Sequence, residues 1–100
     1  MKDHPRTKLL RYIAEHTAAS VKEMKAKLGM STGTIYYYLS QLEPIVKRDE
    51  AKRYYLAAEG RLMLDKLRGD YGKFDSEFEK VHLEMFSNRQ LENTEAYMIQ

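Results

Sequence analysis

Uncharged hydrogen-bonding side chains are densest in residues 31–43, STGTIYYYLSQLE. Wound as a helix at 100° per residue, this stretch sorts into two faces. Ile35, Tyr38, Leu39 and Leu42 share one. Gly33, Tyr37 and Ser40 fall opposite, flanked by Thr34, Tyr36 and Gln41. The second face holds no lysine, glutamate or aliphatic side chain, so it is neither an ordinary solvated face nor a core. Its hydroxyls, phenols, amide and glycine suit the edges of bases in a groove. Gln41 can pair with adenine through both halves of its amide, and Ser40 or Thr32 can bond several bases. Gly33 lets the backbone approach closely, and Tyr36 and Tyr37 can pack on thymine methyls or reach phosphates. Arginine, the commonest partner of guanine, is missing from this face. A helix of this kind reads shape and methyl groups more than a guanine-rich code.

Other chemistries find little support. There is no cysteine, so disulfides, thiolate metal sites and cysteine nucleophiles are excluded. His4, His16 and His82 are scattered without ligand spacing, and no glycine-rich phosphate loop is present. The carboxylates of the C-terminal half sit among lysines and arginines at helical offsets, as on a solvated helix. No enzyme, metal or cofactor is expected. No apolar run approaches the ~20 residues of a membrane span. The opening MKDHPRTK lacks the apolar region of a signal peptide. A cytoplasmic protein associated with the nucleoid is the expectation.

Charge points towards a polyanion. Residues 1–56 carry eleven Lys and Arg against six Asp and Glu, a net +5, whereas residues 57–100 carry six against nine, a net −3. Candidate phosphate contacts are Lys22, Lys25, Lys47, Arg48, Lys52 and Arg53, which would make affinity depend on salt. Ser20 and Ser31 stand at predicted helix N-termini, whose backbone N–H groups also bind phosphate.

Local signals place these groups. Pro5 opens a first helix over 5–16, with Leu9, Leu10, Ile13 and Ala14 as its apolar stripe. TAAS, residues 17–20, breaks that pattern. Ser20 and Glu23 form a capping box for a second helix, in which Val21, Met24 and Leu28 point inward. Gly29 stops it as a left-handed C′ residue, and Ser31 caps the next helix. Two helices joined so tightly cross steeply, which projects the second outward. Beyond Pro44 the period changes to 2: IVKR and RYYL flank DEAK, a hairpin with a charged tip. Tyr54 and Leu56 should face the core and Tyr55 the other side.

The segments LGMSTGTIYYYLSQLE and IVKRDEAKRYYLAAEG resemble the winged helix-turn-helix regulators of bacteria and archaea, the ArsR-like, PadR and MarR group. The resemblance spans residues 5–68. It rests on Leu28-Gly29-Met30-Ser31, on Thr34-Ile35, Leu39 and Leu42, and on Tyr54-Tyr55-Leu56 leading to Glu59-Gly60. It implies that the helix after the Gly-x-Ser turn enters the major groove while the wing straddles the adjacent backbone. Thr32, Gly33, Tyr36, Tyr37, Ser40 and Gln41 would then face the groove. The chain departs from the group twice. It lacks the paired cysteines of metal-sensing members, and Ala57 stands where a capping threonine is usual, a loss of ~1 kcal/mol.

Downstream, Leu64, Leu67, Tyr71, Phe74, Phe78, Val81 and Met85 recur at alternating spacings of 3 and 4, a heptad series. Gly69 and Gly72 fall inside it and cost about 1 kcal/mol each in a helix. The register crosses them intact, which predicts one long helix, bent there, that pairs with a second copy. The expected fold is mainly α with a small β-hairpin (α+β). It comprises a winged helix-turn-helix domain, 1–57, and a helical dimerisation segment, 58–100, of the same compact unit. The expected function is that of a homodimeric regulator, a repressor, on double-stranded DNA, with half-sites roughly 34 Å apart. No effector is specified by these residues. The tyrosine-rich face also fits a second reading, a winged helix that binds protein in the transcription machinery.

Overall fold

The computed structural model describes residues 4–80 and 83. Helix α1 (Pro5–Glu15) leads through strand β1 (Ala18–Ala19) to helix α2 (Val21–Leu28) and helix α3 (Thr32–Gln41). Strands β2 (Val46–Arg48) and β3 (Tyr54–Leu56) follow, then helices α4 (Ala58–Lys66) and α5 (Tyr71–Ser76). The described residues are mainly helical, with one small antiparallel sheet in the order β1-β3-β2.

The first three helices each start at a side-chain cap. Pro5 occupies the first turn of α1, and the His4 ring accepts the Arg6 N–H at 3.2 Å. Ser20 Oγ accepts from the Glu23 N–H, and Ser31 Oγ from the Thr34 N–H. The capping box is only half made, because the Glu23 carboxylate is engaged by Arg53. Gly29, at φ +67°, ends α2 in the left-handed conformation. Ala57 supplies no side-chain cap to α4.

The segment 17–20 proves to be more than a break. Ala18 and Ala19 pair with Tyr55 and Tyr54, adding a third strand beside the hairpin. Alanine has little strand preference, so this strand owes its existence to β3 alongside it. The hairpin register sets Val46 opposite Leu56 and Arg48 opposite Tyr54. Val46 is buried and Tyr54 and Leu56 pack against the core, while Tyr55 is exposed on the outer face.

One apolar core serves all the helices. Leu9, Leu10 and Ile13 of α1 meet Met24, Ile35, Leu39 and Leu42, with Ile45 and Val46 closing the sheet side. Helix α4 docks on the hairpin through Gly60. A Cβ there would lie 2.5 Å from the Ile45 carbonyl oxygen and 2.7 Å from Leu56 Cδ1.

Among the described residues, the single long helix expected from the heptad pattern is broken between α4 and α5. Arg68 (φ 55°) and Gly69 (φ 70°) are successive left-handed residues, which a right-handed helix cannot incorporate. Gly69 N–H closes on the Leu64 carbonyl, and Asp70 Oδ1 then caps α5 by accepting the Lys73 N–H. The break turns the stripe back onto α1. Leu64, Leu67, Phe74 and Phe78 are buried in this chain's own core, and Tyr71 packs against it. Four of the five are thus covered by the chain itself, and Tyr71 is half-buried at their edge. Burying Phe74 and Phe78 gives about 1.5–3 kcal/mol each, more than the break costs. Val81 and Met85, the last two of the series, lie outside the described residues.

Candidate nucleic-acid interface

Helix α3 buries one stripe and exposes the rest. Ile35 and Leu39 are in the core and Tyr38 is half-buried, while Thr32, Gly33, Thr34, Tyr36, Tyr37 and Ser40 are exposed. Tyr36 and Tyr37 are the most open aromatic side chains of the helix, at 49% and 59%. Six of the seven residues assigned to the reading face thus lie together on one exposed, uncharged surface. The seventh, Gln41, differs. It is half-buried, and its Oε1 is enclosed with no hydrogen-bond partner among the described residues. It does not offer both ends of its amide outward.

Two of the exposed hydroxyls spend their protons locally. Ser31 Oγ donates to Thr34 Oγ1 at 2.8 Å, and Ser40 Oγ donates to the Tyr37 carbonyl at 2.6 Å. The tyrosine rings form an edge-to-face series. Tyr37 packs on Tyr38 with ring centres 5.1 Å apart, and Tyr38 packs on His4 at 5.3 Å.

The candidate cations fall into two groups. Lys22, Lys25, Arg48 and Lys52 are exposed and form no ion pair among the described residues. Lys52 stands at the hairpin tip with φ 63°, its N–H donating to the Asp49 carbonyl. Lys47 and Arg53 are engaged. Lys47 Nζ lies 3.9 Å from Glu59 Oε1. Arg53 donates to Glu23 Oε1 and to the Ala18 carbonyl, both at 3.2 Å. Arg53 thus braces β1 and the start of α2 against the hairpin, a part that its position in a basic run does not reveal. Ser20 is half-buried at the N-terminus of α2, whereas Ser31 is exposed at that of α3.

A second cluster also escapes sequence reasoning. The His4 backbone N–H donates to Asp75 Oδ2 at 3.3 Å, and Arg6 lies 3.8 Å from Asp75 Oδ1. The Arg6 guanidinium sits 3.9 Å above the Phe78 ring. Both His4 ring nitrogens face Arg6 donors. Burial, then the Arg6 charge, lowers the His4 pKa below its ordinary 6.5, with Asp75 opposing. The knot fastens the start of α1 to α5. Only His4, placed before Pro5, signals any of it locally.

Among the described residues no three His, Asp or Glu side chains converge as a metal site would require. No helix among them is long and apolar enough to cross a membrane. Compared with protein-family models, curated proteins and solved structures, the chain matches none of them.

Proposed function

We propose that this chain is a winged helix-turn-helix protein that binds double-stranded DNA as a transcription regulator, with α3 in the major groove. The observation that carries this reading is the exposed, uncharged face of α3. Solvent-facing helix surfaces are ordinarily rich in Lys and Glu, yet Thr32, Gly33, Thr34, Tyr36, Tyr37 and Ser40 include no charge. The flanking elements supply the cations that such a face lacks, Lys22 and Lys25 on α2 and Arg48 and Lys52 on the hairpin. In this arrangement α3 aims the protein while α2 and the hairpin hold phosphates.

The engaged cations refine the division of labour. Lys47 and Arg53, paired with Glu59 and Glu23, shape the hairpin and its attachment to α2. Phosphate affinity rests on Lys22, Lys25, Arg48 and Lys52. The dimer expected on the heptad stripe draws no support from Leu64, Leu67, Phe74 and Phe78, which are buried inside the chain.

Fluorescence anisotropy of the full chain with labelled duplex DNA at two salt concentrations tests the reading. Affinity should fall steeply with salt, and replacing Arg48 and Lys52 together by alanine should lower the logarithmic slope by about 2. Binding that is absent, or indifferent to salt, would refute it.

A further inference from the structure

Resting on that reading, we infer that the α3 face recognises the 5-methyl groups of thymines and distinguishes thymine from uracil. The argument is one of elimination among the groups that α3 exposes. Direct readout of bases uses guanidinium or ammonium groups for guanine, amides for adenine, carboxylates for cytosine and apolar contacts for the thymine methyl. The exposed residues of α3 contain no charged side chain, which removes the first and third modes. The amide of Gln41 has its oxygen enclosed, so it cannot accept from the adenine amino group while donating to the ring nitrogen.

The hydroxyls narrow the choice further. The protons of Ser31 and Ser40 are spent on Thr34 Oγ1 and the Tyr37 carbonyl, leaving those oxygens as acceptors only. Beside the hydroxyls of Thr32, Thr34, Tyr36 and Tyr37, which can bond several bases or phosphates without selecting one, α3 presents the methyl groups of the two threonines and the rings of the two tyrosines. Gly33 adds no side chain that would hold these groups away from a groove floor, and the position of its absent Cβ is open to solvent-side space, with nothing within 4 Å. The Tyr37 ring is buttressed by Tyr38, which leans on His4, so it does not have to be ordered from a freely rotating state on contact. The braced Tyr37 ring, with the Thr34 methyl on the same side of the helix, offers apolar contact to methyl groups on the pyrimidine edge.

The test uses duplexes enriched from a random-sequence pool by the full-length protein, then resynthesised with deoxyuridine in place of individual thymines. Each contacted thymine that loses its methyl should weaken binding about three- to fivefold, the equivalent of one buried methyl group. Tyr37→Ser and Tyr36→Ser, both at open positions that leave the core intact, should each lose the thymine preference at the positions that its own ring contacts. That coupling separates methyl contact from any change in DNA shape. If duplex binding is salt-dependent but indifferent to uracil, the methyl assignment is overturned while DNA binding stands. If the tyrosine variants keep the full thymine preference, the assignment of these rings is overturned. If no duplex is bound at any salt concentration, the DNA reading itself fails, and this inference with it.

Discussion

Replacing Gly60 with alanine tests whether α4 is seated on the hairpin by contact with the backbone. In an exposed helix this change would be favourable by up to about 1 kcal/mol. Here the new Cβ would lie 2.5 Å from the Ile45 carbonyl oxygen, 2.7 Å from Leu56 Cδ1 and 2.8 Å from Ile45 Cγ2. Leu56 can rotate away, but the carbonyl is held in place because it accepts the Ala57 N–H at 2.8 Å. Helix α4 must therefore shift outward. Overpacking of this kind costs about 1–3 kcal/mol, and weakening the Ala57 hydrogen bond costs roughly 1 kcal/mol more. The propensity gain offsets the second loss and leaves a destabilisation of about 1–3 kcal/mol. For a domain of this size the melting temperature should drop by roughly 5–15 °C. Thermal and urea unfolding followed by circular dichroism measure the effect, with Gly33→Ala as the matched control. A Gly60→Ala protein as stable as the parent would refute the close approach of α4 to Ile45.

Further expectations follow from the same geometry. Gly33→Ala meets no atom within 4 Å and should raise stability by about 0.5 kcal/mol, yet weaken DNA binding because the methyl separates helix and groove; anisotropy and melting on one sample separate the two effects. Lys52→Gly relieves a left-handed backbone at φ 63° and should stabilise the hairpin by roughly 1 kcal/mol, while the salt dependence of DNA affinity becomes shallower by about one phosphate. Because the His4 pKa is lowered in the folded chain, the unfolded chain binds more protons just below pH 6.5. Stability should thus be full above that value and fall as the pH drops towards the folded pKa. Urea midpoints at pH 7.5 and 5.5 should differ more in the parent than in His4→Asn, which keeps a capping acceptor that does not titrate. Arg53→Ala should destabilise the fold by releasing β1 and Glu23 from the hairpin, and an effect confined to DNA affinity would contradict its bracing position.

The turn from α2 to α3 was legible in the sequence because its determinants are local. A glycine with positive φ, a serine bonded to an N–H three residues on, and an apolar stripe at helical spacing act within one or two turns of chain. The hairpin was legible for the same reason, since its alternation faces Tyr54 inward and Tyr55 outward. The exposed α3 face could be read from its own period, apart from Gln41, whose withdrawal depends on what packs over the end of the helix.

The remaining features depend on partners distant in sequence. Strand β1 is two alanines that become a strand only beside Tyr54 and Tyr55. Arg53 reads as one more cation in a basic run until Glu23, thirty residues earlier, is found beside it. The heptad stripe shows the limit most clearly. Periodicity determines which residues share a face, and Leu64, Leu67, Phe74 and Phe78 do end up buried together. It does not determine which surface covers that face, a second copy or the same chain. Two left-handed residues at 68 and 69 and the apolar flank of α1 decided that, because a folded-back helix can bury its phenylalanines without the entropy loss of association.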